Sequence, residues 1–461
     1  MTRMLPLSED ATTLDVFRAR VVRHPDRVAL EDLEAGGARR DAKLSWCEWH
    51  ELSTRVARAL IRDGVQRGDA VAILAGNRNL WPIAELGILM AGAVSVGVSG
   101  DGAHIVRELG DSRAVAAIVD TTFNLQQLIP HRGELPDLRT VVCEDAASNG
   151  ARWWGEWLDD SMATDTALPD VAPDDLALLV YTSSPAGDRR AARITHRGIA
   201  ASAASARTVL DVGERDCAVS VIPYHDAEER MLGLHLRILG GLSVAHVADE
   251  RMLWSVVGAT EATVLIGRAR HYEALHEAMV AHEQTLGAAE RDAWRSAIGF
   301  GRERAALRRA GQPVPDAVEA RWRVAMAGSR SVRQKLGATL RIATARGASL
   351  AANAAEYLAA MGMTIRGGYG PVEHLCATMQ PADGCSHDAG APMPGTELGV
   401  AEDGELLVRR SALTFAGYHE RAESTRDAFT RDGLWLRTGA RGLLLPDGHL
   451  RLDASSLPER R

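Results

Sequence analysis

Short apolar segments rich in β-branched residues alternate with helical segments along most of this chain, and no other feature constrains its fold as strongly. Ala70–Leu74 is typical of a buried strand, and the helix expected before it places Leu52, Val56 and Leu60 on one face. Further strands are predicted at residues 93–98, 114–119, 140–142, 176–181, 219–222, 242–247, 263–266 and 341–344. Strands that alternate with helices form parallel sheets covered by those helices. The chain is therefore predicted to be an α/β protein.

The chain changes character from about residue 390, where the segments become shorter and turn residues separate them. Residues 404–408, residues 434–437 and a hairpin around Pro446-Asp447-Gly448 are predicted to be short strands. With 461 residues, the chain has about three times the ~150 residues expected of one domain. We predict two α/β subdomains with parallel sheets, residues 1–175 and 176–389, followed by a small β-rich subdomain, residues 390–461.

Charge and hydropathy argue against two classes of partner. Lys and Arg number 53 against 61 for Asp and Glu, which gives a formal net charge of −8. This balance offers no electrostatic basis for binding nucleic acid, and no apolar run reaches the roughly 18 residues that a membrane span needs. Five cysteines without a repeated spacing argue against a disulfide framework. We expect a cytoplasmic protein with no nucleic-acid partner and no membrane span.

The most informative stretch is the loop after the strand at 176–181. It reads Thr-Ser-Ser-Pro-Ala-Gly-Asp-Arg-Arg over residues 182–190. Small hydroxyl residues, a glycine and cations after a strand are what a phosphate-binding loop requires, because hydroxyls and free N–H groups can face phosphate oxygens. A strand-to-helix loop with Ser, Pro and Gly is also an ordinary connection. From the residues alone, both interpretations stay open.

The same segment resembles the signature loop of the adenylate-forming superfamily, which includes acyl-CoA synthetases, nonribosomal peptide adenylation domains and luciferases. That pattern is Tyr-Thr-Ser-Gly-Ser-Thr-Gly-x-Pro-Lys-Gly-Val-x-x-Thr-His, and residues 181–196 align with it without a gap. Further segments match the superfamily in order, namely residues 25–30, 64–74, 222–225, 368–373 and 436–440, and residues 264–279 and 299–323 resemble its long-chain acyl-CoA synthetase branch. The resemblance implies the large N-terminal domain of that superfamily, with a distorted β-barrel as the small subdomain.

The resemblance also implies ATP and Mg²⁺ as cofactors and a set of site residues. Glu373 would hold Mg²⁺ and act in catalysis, with Arg190 at the position of the loop lysine and His225 lining an acid pocket. The remaining positions would contact the nucleotide: Thr182, Ser183, Gly187, Arg189, Arg346, Gly347 and Tyr369.

The departures from the superfamily pattern fall on its chemistry. Ser184-Pro185-Ala186 replaces Gly-Ser-Thr, and the proline removes an N–H donor. Arg346 replaces a glycine that lets the purine approach, and Ala440 replaces the aspartate that holds the ribose. Lysine occurs only at positions 43 and 335, and after residue 452 the chain shows no counterpart of the C-terminal catalytic domain with its adenylation lysine. We expect that domain to be absent.

These losses can be expressed as an affinity. Each missing hydrogen bond to a charged or well-placed group costs roughly 1.5 kcal/mol, so the lost hydroxyls and carboxylate predict about a thousandfold weaker nucleotide binding. In exchange, Arg189, Arg190 and Arg346 are predicted to form a cationic cluster that suits a carboxylate or phosphate. The alternative is that these arginines are exposed replacements in a decayed site.

The sequence therefore leads to one functional hypothesis with two alternatives. The chain is expected to be a divergent adenylate-forming enzyme homologue of specialised metabolism that binds or activates a small carboxylic acid or other anion, with ATP in a half-reaction only, and not a complete acyl-CoA ligase. One alternative is ATP-dependent activation of nitrite for diazo formation. The other is a non-catalytic binding or scaffold protein that partners another pathway protein. A separate polypeptide supplying the C-terminal domain is a further expected partner.

Overall fold

The computed structural model describes residues 10–33, 43–98, 102–145, 147, 150–163, 166–183, 189–329, 340–346, 350–382, 389–453 and 456. Its helices are α1 Thr13–Arg23, α2 Trp46–Arg62, α3 Leu80–Met90, α4 Gly102–Ser112, α5 Thr122–Leu128, α6 Trp154–Asp159, α7 His196–Leu210, α8 Leu236–Gly240, α9 Leu253–Ala259, α10 Ala269–Thr285, α11 Ala288–Arg309, α12 Asp316–Gly328, α13 Ala352–Ala360 and α14 Ala422–Asp427. Single 3₁₀ turns lie at Ile129–Glu134, Asp160–Ala163, Glu250–Met252 and Val372–His374, and a π-helical segment at Glu229–His235. Among the described residues, no helix combines the length and apolar character needed to cross a membrane.

Two seven-stranded sheets form the bulk of the molecule. The first contains β3 Ala70–Leu74, β4 Val94–Gly97, β5 Ala116–Val119, β6 Thr140–Cys143, β7 Arg152–Trp153, β8 Leu176–Ser183 and β9 Arg189–Thr195. Its strand order is β7-β6-β5-β3-β4-β8-β9, and all neighbours are parallel except β8 and β9. β3, β4 and β5 are entirely buried and β6 nearly so, as expected where helices cover both faces of a parallel sheet. β7, at the edge of the sheet, is exposed.

The second sheet contains β1 Val28–Leu33, β2 Lys43–Ser45, β10 Cys217–Ser220, β11 Ser243–Val247, β12 Val264–Gly267, β13 Ile342–Ala345 and β14 Ile365–Arg366. Its order is β14-β13-β12-β10-β11-β1-β2, with only β1 and β2 antiparallel. A four-stranded antiparallel sheet follows, formed by β17 Leu398–Val400, β18 Glu405–Arg409, β19 Trp435–Leu444 and β20 Leu450–Leu452, beside the small pair β15 Thr378–Met379 and β16 Ala391–Pro392. The predicted class, α/β with parallel sheets and a β-rich subdomain, is confirmed.

The sheets do not divide the chain at residue 175. β1 lies far upstream of that position but pairs with β11 of the second sheet, with Leu30 opposite Val244. β8 lies downstream of it but pairs with β4 of the first sheet. Each predicted α/β subdomain therefore contributes strands to the sheet of the other, because sheet membership depends on long-range pairing that local patterns do not encode.

The connection after β8 differs from the predicted strand-to-helix loop. Residues 189–195 form β9, which returns antiparallel along β8 with Thr182 opposite Arg190. α7 begins only at His196, where the Thr195 hydroxyl accepts a hydrogen bond from the Gly198 N–H at 3.1 Å. The two ends of the phosphate-loop sequence therefore lie in paired antiparallel strands.

A buried ion pair fixes the π-helical segment against both α3 and the first sheet. Glu85 of α3 and Arg230 have no solvent exposure and lie 2.8 Å apart. The Arg230 guanidinium also donates to the Leu179 carbonyl of β8 and, at 2.8 Å, to the Ser95 hydroxyl of β4. These bonds hold the residues just before the segment above the carboxyl ends of β4 and β8.

Two glycines of α11 give a matched test of the helix packing. A Cβ at Gly301 would collide with the backbone carbonyl of Ala360 in α13, whereas a Cβ at Gly299 would meet nothing within 4 Å. We expect Gly301→Ala to lower the free energy of unfolding by about 1–3 kcal/mol, because backbone cannot move aside cheaply. Gly299→Ala should raise it by roughly 0.5–1 kcal/mol through helix propensity. Urea denaturation of both variants checks the prediction, and equal effects would contradict the packing.

Candidate functional site

A cavity of about 810 Å³ opens where the strands of both large sheets end. Gly97 closes β4, Arg268 follows β12 directly and Arg346 follows β13 directly, and all three line the cavity. His225 and Glu228 reach it from the segment after β10. The carboxyl ends of parallel strands are where open α/β folds bind ligands, and this volume suits a small-molecule site.

The cavity walls combine charge with small apolar surface. Seven arginines line it, namely Arg189, Arg268, Arg304, Arg308, Arg309, Arg346 and Arg451. The acidic lining residues are Asp226, Glu228 and Glu356, and the small apolar ones include Ala345, Ala352, Ala355 and Ala359. Such walls suit a compact ligand that carries negative charge.

The predicted site residues divide into three groups. Those that line the cavity are Arg189, His225, Arg346 and Tyr369. Thr182, Arg190 and Glu373 are half-buried and lie outside the described cavity lining. Gly187, Gly347 and the side chain of Ser183 lie outside the part of the chain that the structure describes, as does the Ser184-Pro185-Ala186 run.

The predicted cluster of Arg189, Arg190 and Arg346 does not form. Adjacent residues of a strand point to opposite faces, and Arg189 and Arg190 are adjacent in β9. The Arg189 guanidinium lies 2.5 Å from the buried Glu108 carboxylate, on the cavity side. The Arg190 guanidinium instead lies 5.4 Å from the centroid of the Tyr418 ring.

Glu373 lies in the 3₁₀ turn at Val372–His374 and has a partner that the sequence analysis missed. The Tyr418 hydroxyl donates to Glu373 Oε1 at 2.5 Å. Burial, together with the charge of Glu373, raises the pKa of Tyr418, so its phenol stays protonated. Among the described residues, no group of three or more His, Cys, Asp or Glu could hold a metal ion.

Arg346 is buried under the cavity wall, where it is bonded to the backbone. Its Nη1 donates to the Leu375 carbonyl at 2.9 Å, and its Nη2 approaches the Gly370 carbonyl at 3.5 Å. A Cβ at position 370 would collide with that Nη2. The guanidinium thus lies against Gly370, the second glycine of the Gly-Tyr-Gly segment at residues 368–370, and fills the space beside it.

Three ring residues of the lining, Tyr181, His225 and Tyr369, are uncharged near neutral pH. Burial raises the pKa of Tyr181 well above its usual range. Burial lowers the pKa of His225, an effect that Asp226 opposes, so the imidazole is neutral. Burial raises the pKa of Tyr369 to about 12. The charge of the cavity therefore comes from its arginines and carboxylates.

Sequence reasoning also missed the acidic side of the cavity. Arg268 forms an ion pair with Asp226, and the carboxylate of Glu228 is buried beside them. The available signal was three acidic residues, 226, 228 and 229, directly before the long apolar stretch that begins at Met231. Asp and Glu are almost never fully buried unless they are paired.

Comparisons with known proteins agree on a family. The family profile described as "AMP-binding enzyme" matches residues 17–419. The long-chain-fatty-acid–CoA ligase FadD15 of Mycobacterium tuberculosis is 29% identical over 418 residues, which cover 86% of this chain and 66% of that protein. The peroxisomal long chain acyl-CoA synthetase 7 of Arabidopsis thaliana is 23% identical over 443 residues, covering 89% of this chain and 62% of that protein. The chain thus spans less than two thirds of the length of these relatives.

Solved structures share the fold. The anthranilate CoA ligase AuaEII, crystallised with anthranoyl-AMP, superposes with a TM-score of 0.76 at 19% identity, covering 97% of this chain and 77% of the other. The N-terminal domain of FACL13 from Mycobacterium tuberculosis gives a TM-score of 0.75 at 18% identity, covering 96% and 99%. These TM-scores establish the architecture. The identities are too low to indicate the ligand, which has to be inferred from the site.

Proposed function

The chain belongs to the AMP-binding enzyme family, the adenylate-forming superfamily, and we propose that it is a divergent member that binds a small carboxylic acid or other anion in the arginine-lined cavity. The observation that carries this proposal is the concentration of guanidinium groups around a cavity of about 810 Å³ at the strand ends. Arginine is the side chain best suited to hold a carboxylate, because its planar fork of N–H donors matches the two oxygens.

The relatives support the same class of ligand. FadD15 is a fatty-acid–CoA ligase and AuaEII an anthranilate–CoA ligase, so both act on carboxylic acids. In this chain the small apolar residues beside the arginines, such as Ala345 and Ala355, leave room for the body of the acid. A carboxylate would face guanidinium groups while its carbon skeleton contacts the alanines.

The residues fit one end of a bound nucleotide and not the other. Mg²⁺ takes one or two carboxylates and completes its shell with phosphate oxygens and water, so Glu373, oriented by Tyr418, fits the metal end. The superfamily resemblance places the purine at residue 346 and Tyr369, and there the Arg346 guanidinium lies against Gly370 and Leu375. ATP in that pose does not fit unless Arg346 moves, so we assign no adenylation step to the chain.

A second candidate is the adenylation half-reaction, which would require Arg346 to move aside and for which Glu373, held by the Tyr418 hydroxyl, fits the metal end. ATP-dependent release of pyrophosphate in the presence of a carboxylic acid would support it over simple binding. Binding of an acid without pyrophosphate release would support the anion-binding function.

Calorimetric titration with benzoate and octanoate tests the proposal. We expect at least one of them to bind the wild type, and Arg268→Gln to weaken that binding about tenfold through loss of a charge-assisted hydrogen bond. Arg270→Gln is the matched control, since Arg270 is an exposed residue two positions further along the chain, in the first turn of α10, pairs with Glu250 and lies outside the described cavity lining. It should leave the affinity unchanged. If neither acid binds at about 10 mM, which corresponds to a binding free energy weaker than about −3 kcal/mol, the proposal is rejected.

A further inference from the structure

Glu228 is a buried carboxylate, one oxygen of which has no hydrogen-bond partner among the described residues. Its side chain belongs to a residue only 9% exposed, and it lines the cavity. Within the described part of the chain, its Oε1 atom has no hydrogen-bond partner. The residue lies directly before the π-helical segment, which Arg230 fixes in place, so the backbone of Glu228 is held at the cavity wall.

The nearby cations do not neutralise Glu228 directly. Arg268 is committed to Asp226, and the two terminal nitrogens of Arg346 are directed at backbone carbonyls. Burial raises the pKa of Glu228 despite the favourable field of Arg346. An unpaired buried carboxylate costs free energy in the absence of a donor, and the described residues supply none to Oε1.

A second buried group at the cavity wall, Arg346, is a hydrogen-bond donor. Arg346 is only 6% exposed and lines the cavity, and its Nε is buried without an acceptor among the described residues. Buried polar atoms are nearly always hydrogen-bonded, so an unpartnered one at the wall of a cavity is a candidate contact for a ligand. A π-helical turn, which begins at Glu229, is also frequent at functional sites.

A ligand that satisfies both groups must carry donors as well as acceptors. Building on the proposed function, we propose that the ligand is an amino-substituted carboxylic acid, whose amine donates hydrogen bonds to Glu228 while its carboxylate faces the arginines of the cavity. The ammonium group of such a ligand would give the buried Glu228 carboxylate a positively charged hydrogen-bond donor. A simple fatty acid would leave Glu228 unpaired.

Matched pairs of acids that differ only in the amine test this inference. The wild type is titrated calorimetrically with L-phenylalanine against 3-phenylpropanoate, and with 8-aminooctanoate against octanoate. We expect the aminated acid to bind at least about tenfold more tightly in one pair or both, the scale of a charge-assisted hydrogen bond. This comparison needs no variant and therefore does not depend on how a substitution folds.

Variants then locate the preference. Glu228→Gln keeps the size of the side chain and removes its charge, so it should abolish the preference for the aminated acid. Glu356→Gln is the control, because Glu356 also lines the cavity but is half-exposed and paired with Arg302. It should retain the preference.

The outcomes separate this inference from the proposed function. Acids that bind without any preference for the amine overturn the inference and leave the proposed function standing. A preference that survives in Glu228→Gln overturns the assignment to Glu228. Failure of all four acids to bind overturns both.

Discussion

Glu85→Gln is expected to lower the free energy of unfolding by about 3–5 kcal/mol, because it leaves the Arg230 guanidinium charged and unpaired in the interior. Both partners have no exposure, and the carboxylate also contacts His235 at 3.0 Å and Trp81 Nε1 at 3.2 Å. A substitution here therefore disturbs a network that joins α3, the π-helical segment and the first sheet. Urea denaturation of the wild type and the variant measures the difference.

Two controls make the result specific to burial. Glu397→Gln removes a carboxylate paired with Arg409 at 3.1 Å, but both side chains are more than half exposed, so its effect should stay below about 1 kcal/mol. The double variant Glu85→Leu with Arg230→Met replaces both charges and should be less destabilised than Glu85→Gln. A loss below about 1 kcal/mol for Glu85→Gln would contradict the buried pair.

The same pair predicts how the difference depends on pH. Burial alone would raise the pKa of Glu85, but Arg230 and His235 outweigh it and lower the pKa to about 2. A lowered pKa contributes stability that is present above the unfolded value of about 4.3 and is lost as the pH falls toward the folded value. The difference between wild type and Glu85→Gln should therefore stay constant from about pH 7 to 5 and shrink below about pH 4.3.

Arg346→Gly is expected to raise the affinity for AMP at least about tenfold, because it empties the space that the guanidinium fills above Gly370. The carbonyls of Leu375 and Gly370, now bonded to Arg346, would become acceptors for a purine amine. The free variant also loses the bonds of Arg346 to these two carbonyls, so its melting temperature should be lower than that of the wild type. Calorimetric titration of AMP into both proteins measures the affinities.

Arg346→Lys separates the shape of the side chain from its charge. Lysine keeps the charge and much of the length, so this variant should bind AMP no better than the wild type. If Arg346→Gly and Arg346→Lys both bind AMP as the wild type does, Arg346 is not what limits nucleotide binding. The block would then lie elsewhere, for instance at Ala440 or in the loop tip.

Much of the fold was predictable because a short buried strand is recognisable from its own run of apolar residues. Ala70–Leu74 is a strand with the predicted bounds, residues 93–98 contain β4, and the strand predicted at residues 140–142 is β6, which ends one residue later at Cys143. β9 was missed because its sequence, Arg-Arg-Ala-Ala-Arg-Ile-Thr, lacks an apolar alternation. The assignment of β1 to the second sheet was not predictable either, since it depends on a pairing with residues more than two hundred positions away.

The site was predictable in its location and less so in its contacts. The motif around Tyr369 and the segment of His225 do meet at one cavity. The separation of Arg189 from Arg190 would have followed from strand periodicity, had residues 189–195 been recognised as a strand. The backbone bonds of Arg346 and the isolation of Glu228 depend on distances between remote segments, which no local pattern contains.

Titration of the wild-type protein with AMP, in the presence of Mg²⁺ and beside benzoate and octanoate, tests the central claim most directly. We predict that a carboxylate binds with a Kd below about 1 mM, which corresponds to a binding free energy of about −4 kcal/mol or stronger. AMP should give no measurable binding at about 1 mM. AMP binding with a Kd at or below about 100 µM, together with no binding of either acid, would contradict it. That result would mean that Arg346 moves aside for the purine and that the cavity is a nucleotide site.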